Sequence, residues 1–456
     1  MITRRALIAR GAAGALALTL PDVAEARRLT RTQERALRNA VRGRVLVPGS
    51  SGYNGARVVF NTRWDGVKPP AVVQARDTAD VRAVVRWADR FDVPLVARSG
   101  GHGYSGNSTS QTAVVVDLDA LDAVRFDDGI ATLGPGARLG DVYRRLAAKG
   151  VTIPAGSCPT VGVGGLVLGG GMGLAGRAFG LTCDRVTSFD VVDAHGRRRR
   201  VDDGALFWAL RGGGGSFAIV TAVRLRTRRV TDAAFFSISY PRGARAEALQ
   251  RWDAFAPRAP SDLTAILTLT SDGATAFGQY LGSATALRRL IRPLGGTPSV
   301  GSADYLTVQR RWAGNQHPPR SAFAASSIYV TKRLTAKGRG AFLAAADTGA
   351  TLILDAYGGA INRPDRDATA FPHRDARFSV QLISYRDIAT ARAQVRRART
   401  AVAAYGGGAY FNYADPDLTH ATRNYWGANL ERLRRVKRDV DPANRFRPAQ
   451  GVRPAR

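Results

Sequence analysis

Two nucleophilic side chains of this sequence are framed by glycine. His102 stands in Arg98-Ser99-Gly100-Gly101-His102-Gly103-Tyr104, and Cys158 in Ser157-Cys158-Pro159-Thr160-Val161-Gly162-Val163-Gly164-Gly165. Glycines let a backbone come close to a phosphate-bearing ligand and turn its N–H groups toward it. One such loop is a weak signal. Two of them, each presenting one soft nucleophile, point to a cofactor gripped at two places, with bonding to either nucleophile left open. A third run, Gly169-Gly170-Gly171-Met172-Gly173-Leu174-Ala175-Gly176, contains the G-x-G-x-x-G spacing of a nicotinamide site, with Asp193 about 20 residues on. That motif must follow a strand. Residues 162–170 are too rich in glycine for a central strand, so the match reads as chance within a long loop. No Cys/His group has zinc spacing, and no metal is expected. A disulfide between Cys158 and Cys183 stays open as an alternative to a reactive Cys158. The apolar flank of Cys183 suits a buried structural thiol.

These loops need elements to hold them. Asp77 and Thr78 cap a predicted helix whose Val81, Val84, Val85 and Ala88 recur at helical spacing. Residues 94–97 form a predicted short strand leading straight into the His102 loop. Residues 114–116, 131–133 and 189–193 read as further strands, and Leu139, Val142 and Leu146 mark one face of a helix. After about residue 228 the composition shifts. Residues 235–240, 265–270, 276–280, 327–331 and 378–385 then read as strands with helices between them. The expected fold is α+β, with a ligand-holding domain over residues 40–230. A second, mostly antiparallel domain over 231–400 covers one of its faces.

The net charge of +31 first suggests nucleic acid. Only five residues are lysine, however, and the arginines are spread along all 456 positions. The longest basic run, 197–200, follows Asp193-Ala194-His195-Gly196 and reads as a solvated hairpin turn. Loose attraction to anionic cell-surface polymers fits this distribution better than a nucleic-acid site. At the N-terminus, Arg4-Arg5 precedes an apolar stretch at 12–20 and the small-residue site Ala24-Glu25-Ala26. Residues 1–26 therefore read as a twin-arginine export signal, with an arginine-rich tail or an uncleaved anchor as alternatives. The stretch is shorter than the roughly 20 residues that span a bilayer, so no stable membrane anchor is expected.

Further segments accompany the two loops in order from about residue 40 to the end. They are Phe-Trp-Ala-Leu-Arg-Gly-Gly-Gly-Gly-Ser-Phe-Ala-Ile-Val-Thr at 207–221, Tyr357-Gly358-Gly359, and Ala-Phe-Pro-His-Arg at 370–374. Near the end come Tyr410-Phe411-Asn412-Tyr413-Ala414-Asp415, the Tyr-Trp-Gly-Ala-Asn run at 425–429, and Asp-Pro-Ala-Asn-Arg-Phe at 441–446. With these segments the chain resembles the berberine-bridge-enzyme-like branch of the vanillyl-alcohol-oxidase flavoproteins. The resemblance implies a two-domain PCMH-type FAD-binding fold. Its substrate domain is an α/β insertion on an antiparallel sheet, and a C-terminal segment, 405–456, returns to the FAD domain. It implies FAD bonded through its 8α-methyl to His102 and through C6 to Cys158. Further contacts are expected from Arg98, Ser99, Gly100, Gly101, Gly103, Ser157, Thr160, Val161, Gly162, Gly164, Gly165, Gly169, Gly170, Ile219, Val220 and Asn412.

A hydroxyl substrate loses its O–H proton as hydride leaves the carbon, so a base must lie within hydrogen-bond reach. By the resemblance Tyr413 is that base, and Tyr410, Tyr104 and Gln381 line the same pocket. A phenol ordinarily titrates near 10, so Tyr413 should need a nearby cation or polar neighbour. Gln381 shares a strand face with Ser379 and Ile383 by period two. Two positions depart from the plant members, which often carry histidine where this chain has Leu166 and an aromatic residue where it has Met172. Val161 matches a position that gates oxygen, and valine there resembles the oxidases. The resulting expectation is a secreted or cell-envelope FAD oxidase, a monomer. Its small-molecule substrate would be an alcohol or hemiacetal of a carbohydrate or glycosylated natural product, and dioxygen would leave as hydrogen peroxide. The alternatives are a dehydrogenase with another acceptor and a non-catalytic cationic exported binding protein. The pocket lining is expected within the unfamiliar stretch 240–350.

Overall fold

A computed structural model describes residues 27–313 and 315–455; the export segment read at 1–26 lies outside them. Asp77 accepts from the N–H groups of Ala79 and Asp80 and so starts the helix Thr78–Arg90. Val81, Val84, Val85 and Ala88 of that helix pack on a first, four-stranded sheet. Its strands run in the order Arg44–Leu46, Val72–Gln74, Val114–Asp117 and Leu95–Arg98, the last three parallel. The chain leaves Leu95–Arg98 directly into the His102 loop.

A second, antiparallel sheet has the order Val124–Asp127, Ile130–Leu133, Ile219–Arg226, Val186–Val192, Arg198–Val201. The turn before its last strand is closed by Asp193, whose carboxylate accepts from the N–H groups of His195 and Arg197. Arg198, Arg199 and Arg200 therefore lie on an exposed edge strand beyond the turn, where charge discourages edge pairing. The glycine-rich stretch read as a loop contains a short helix, Val163–Leu168. The nicotinamide-like spacing thus follows a helix, without the strand that such a motif requires.

The third sheet has seven strands, all antiparallel. Their order is Ser299–Asp304, Asp232–Pro241, Gly273–Tyr280, Leu263–Leu269, Thr351–Ala356, Phe378–Ser384, Ala324–Val330. Two of these, Ser299–Asp304 and Thr351–Ala356, have no counterpart among the strands read from the sequence. The first is a polar edge, and the second is a short run that one acidic residue interrupts. One face of the sheet carries Leu352, Leu354, Phe378, Val380 and Leu382 beneath the helices Arg245–Phe255, Ala336–Ala346 and Ile388–Val402. Alternation sends Thr264, Ile266, Asp355, Ser379 and Gln381 to the opposite face. Each fully buried leucine or phenylalanine on the helix side contributes about 2 kcal/mol. A one-residue slip would exchange the two faces, so this burial fixes which polar groups look the other way.

Two buried arginines join the third sheet and its flanks to the segment 176–185, and a third tie fixes the C-terminal segment to the first sheet. Arg177, fully buried, donates to the backbone carbonyls of Leu263, Ala259 and Tyr357 on the third sheet and its flanks. Arg374 donates through both terminal nitrogens to the Asp184 carboxylate, at 2.9 and 2.6 Å. The C-terminal residues return to the first sheet, with the N–H of Leu95 donating to Arg445 O and that of Arg447 to Leu95 O. Lys437 and Asp441, both fully buried, form an ion pair under that return. No helix among the described residues is long and apolar enough to cross a membrane.

Candidate active site

The loops that follow Leu95–Arg98 and precede Val163–Leu168 cross each other at a point only glycine permits. A Cβ on Gly100 would stand 2.3 Å from the Gly162 amide nitrogen, and one on Gly162 would stand 2.1 Å from Ser99 Oγ. Both nucleophiles are thereby fixed on the wall of one cavity, about 530 Å³, enclosed by the two glycine loops and the polar face of the third sheet. A hollow of about 520 Å³ at the far edge of that sheet, beside Tyr240 and Glu247, contains none of the candidate residues.

The His102 ring stacks on Phe60, with centroids 4.0 Å apart and planes 20° apart. Its Nε2 lies 3.0 Å from Thr160 Oγ1, which in turn lies 3.6 Å from Cys158 Sγ. Burial, then the Arg138 guanidinium, lowers the imidazole pKa to about 4. His102 is therefore neutral near pH 7 and keeps a lone pair. Cys158 and Cys183 are not bonded to each other. Cys183 is fully buried, and burial pushes its thiol well above the usual range, as for an inert structural cysteine.

The aromatic candidates converge on the same cavity. Tyr413 stacks on Tyr104 (5.7 Å, 16°) and meets Tyr410 edge-on (5.0 Å, 82°). Gln381 faces the cavity as its strand period requires, and its Nε2 donates to Tyr104 Oη at 3.0 Å. Tyr410 behaves differently. Its oxygen accepts from the N–H groups of Gly171 and Met172 and from Asn412 Nδ2, at 3.0, 3.1 and 3.0 Å. These three donors tie Tyr410 to the 170–172 loop and to Asn412, and they partly offset the burial that raises its phenol. Among the described residues the Tyr413 hydroxyl makes no hydrogen bond.

Of the two aids expected for Tyr413, a nearby cation is not one of the groups that act most strongly on it among the described residues. Burial and then the neighbouring Asp355 carboxyl hold its phenol well above the ordinary tyrosine range. Asp355 is the residue that reading the sequence missed. Burial raises its own pKa to about 7, and Ser379 Oγ donates to it at 3.4 Å. The available signal was a single acid in the otherwise apolar run Leu352-Ile353-Leu354-Asp355-Ala356. The lining also extends past the expected stretch 240–350: Asp355, Ala356, Gln381 and Tyr385 all lie beyond it.

Of the remaining candidates, Ser99, Gly100, Gly101, Gly103, Ser157, Val161, Gly162, Gly164, Gly165, Val220 and Asn412 line the cavity. Arg98, Thr160, Gly169, Gly170 and Ile219 do not. Arg98 turns inward to an ion pair with Asp117 at 2.8 Å. Ile219 alternates away from Val220 into the core of the first sheet. Gly169 packs so closely under Asn412 that a Cβ would stand 2.0 Å from its Oδ1, and Gly170 lies against Phe371. Thr160 acts one layer back, between the two nucleophiles. Among the described residues no group of three or more His, Cys, Asp or Glu is placed to hold a metal ion.

These residues fit an FAD. The glycine backbones at one end of the cavity suit a diphosphate, and Ser108 Oγ on the lining is buried with no hydrogen-bond partner. His102 and Cys158 line the same cavity as these glycines. The FAD binding domain family matches residues 69–202, and the family described as berberine and berberine like matches 409–453. The uncharacterized FAD-linked oxidoreductase YgaK of Bacillus subtilis (strain 168) is 32% identical over 91% of this chain and 97% of its own. The chitooligosaccharide oxidase of Gibberella zeae is 28% identical over 89% of this chain and 91% of its own. Phl p 4, a grass pollen allergen with glucose dehydrogenase activity, superposes with a TM-score of 0.87 at 28% identity, covering 93% of this chain and 99% of the other. Its isoleucine-to-valine variant, described as a glucose oxidase, gives 0.88 at 28% identity over 93% and 100%. The chain thus belongs to the berberine-bridge-enzyme-like family of FAD-linked oxidoreductases.

Proposed function

We propose that this chain is an exported oxidase with FAD bonded to both His102 and Cys158. In this reading it takes a hydride from an alcohol or hemiacetal carbon of a carbohydrate, or of a glycosylated natural product, and passes the electrons to dioxygen as hydrogen peroxide. The observation that carries this reading is the convergence of Tyr413 and Asp355 on the cavity that also holds both nucleophiles. Flavin, when bound, supplies the hydride acceptor. The chain supplies the rest. A carboxyl with a pKa of about 7 is matched to taking up a proton near neutral pH. Asp355 therefore stores the proton, and the uncommitted Tyr413 hydroxyl relays it from the substrate oxygen. The amide of Gln381 fixes Tyr104, and Tyr104 fixes the Tyr413 ring.

A ladder of rings leads outward from that point. Tyr413 stacks on Tyr104, Tyr104 meets Phe323 at 4.8 Å, and Phe323 meets Tyr385 at 5.6 Å. Tyr385 is 65% exposed at the mouth. Such a wall suits the C–H faces of sugar rings, with Thr264, Gln381 and Asn412 available to their hydroxyls. The named activities of the chitooligosaccharide oxidase and of Phl p 4 support a sugar substrate. Val161 lines the cavity, and the valine variant of Phl p 4 supports oxygen as acceptor.

The test is oxygen uptake and peroxide release by the flavin-loaded protein on a panel of oligosaccharides. Val161→Ile is expected to slow reoxidation by on the order of tenfold, about 1.4 kcal/mol, and to leave flavin reduction unchanged. Turnover only with an added dye would favour the dehydrogenase, and bound flavin without any turnover the binding protein. Export rests on Arg4-Arg5 and the apolar stretch that follows. The N-terminal mass of protein from the culture medium tests it. We further propose a monomer whose dispersed arginines attract anionic cell-surface polymers loosely.

A further inference from the structure

Resting on the proposal that both His102 and Cys158 bond the flavin, we infer that the Thr160 hydroxyl is a positioning residue that activates the two nucleophiles together. A hydroxyl has one proton to give and lone pairs with which to receive. Thr160 Oγ1 lies between His102 Nε2 at 3.0 Å and Cys158 Sγ at 3.6 Å. The imidazole is neutral, so one ring nitrogen carries the proton and the other a lone pair.

The three groups have two self-consistent arrangements. In the first, His102 Nε2–H donates to Thr160 Oγ1, which leaves Nδ1 with a free lone pair. The Thr160 O–H then donates to Cys158 Sγ and stabilises the thiolate left when the thiol gives its proton to solvent, so both residues are nucleophiles at once. In the second, Thr160 donates to Nε2, the ring proton sits on Nδ1, and Cys158 keeps its proton to donate to Oγ1. Neither residue can then attack. Stacking on Phe60 holds the ring plane, so the tautomer alone decides which nitrogen is free. The two arrangements differ by the Cys158 proton, lost to solvent in the first, and the orientation of one hydroxyl favours both nucleophiles or neither.

Each attachment replaces a flavin C–H and the residue's N–H or S–H by one C–N or C–S bond. The two hydrogens and their electrons leave to dioxygen as hydrogen peroxide. For His102 the proton to be shed is the one on Nε2, and Thr160 Oγ1 is the atom it faces.

The experiment compares the full chain as wild type, Thr160→Val and Thr160→Ser, each also in His102→Ala and Cys158→Ala backgrounds. Protein is acid-precipitated at fixed times, and the FAD mass on the His102 and Cys158 peptides is read by mass spectrometry. Gel filtration reports non-covalent FAD and so separates a folded variant from an unfolded one. Thr160→Val is expected to bind FAD but to form both bonds about a hundredfold more slowly, the low end for a positioned proton partner. Thr160→Ser is expected to restore them. Two bonds at the wild-type rate in Thr160→Val, or loss of one bond with the other intact, would overturn the coupling. Release of all flavin from wild type by acid would instead sink the bicovalent reading on which it rests.

Discussion

Tyr413→Phe is expected to slow substrate-driven flavin reduction by on the order of a thousandfold while leaving flavin content and folding unchanged. The lost atom is a hydroxyl that makes no hydrogen bond among the described residues, so its removal leaves no buried partner stranded. The ring keeps its stack on Tyr104 and its edge contact with Tyr410. Anaerobic stopped-flow measurement of flavin bleaching checks the rate, and a melting curve checks the fold. Loss of stability instead of rate would make Tyr413 a packing residue. The parallel change Tyr410→Phe should do the reverse. It removes the acceptor for two backbone N–H groups and the Asn412 amide, and loosens the 170–172 loop.

Asp355→Asn is expected to lower the same rate by at least a hundredfold and, above neutral pH, to make the protein more stable. The folded carboxyl has a pKa of about 7 against 3.8 when unfolded. Between those values the native state binds the extra proton, so stability falls as pH rises from about 4 to 7, and the full penalty remains above 7. That penalty is about 4 kcal/mol, at 1.36 kcal/mol per pKa unit. Asparagine has no proton to lose. The variant should therefore outlast wild type in urea at pH 8, and the gap should close as pH falls toward 4. The rise of the reduction rate through pH 7, which belongs to the Asp355 and Tyr413 pair jointly, should vanish with it. A wild-type site that holds a destabilised carboxyl for chemistry trades stability for function. An Asp355→Asn protein that is both inactive and less stable at pH 8 would place the carboxylate in a structural role.

The sequence made the nucleophile loops legible because their signal is local. Residue type and glycine framing name His102 and Cys158 directly, and the close approach of Gly100 to Gly162 shows why the frame is glycine. Gln381 was equally legible, since period two and an apolar partner face settle its direction. Ile219 shows the limit of the same rule. It sits beside Val220 in one motif, yet only one of two adjacent strand residues can face a cavity. Asp355 was illegible for a different reason. Its importance comes from burial on the face of the third sheet that closes the cavity and from Tyr413, 58 residues later in the chain, and neither leaves a mark on its neighbours in sequence. The same holds for the ring ladder, whose members at 104, 323, 385 and 413 are brought together only by the tertiary fold.

The most direct test of the account is to mix the flavin-loaded protein without oxygen against chito- and gluco-oligosaccharides and follow the flavin colour. The expected result is bleaching by at least one of them, faster above pH 7, with a sugar product lighter by two hydrogens. A flavin that stays yellow with every sugar, yet bleaches with dithionite, would contradict the assignment of this cavity to carbohydrate oxidation.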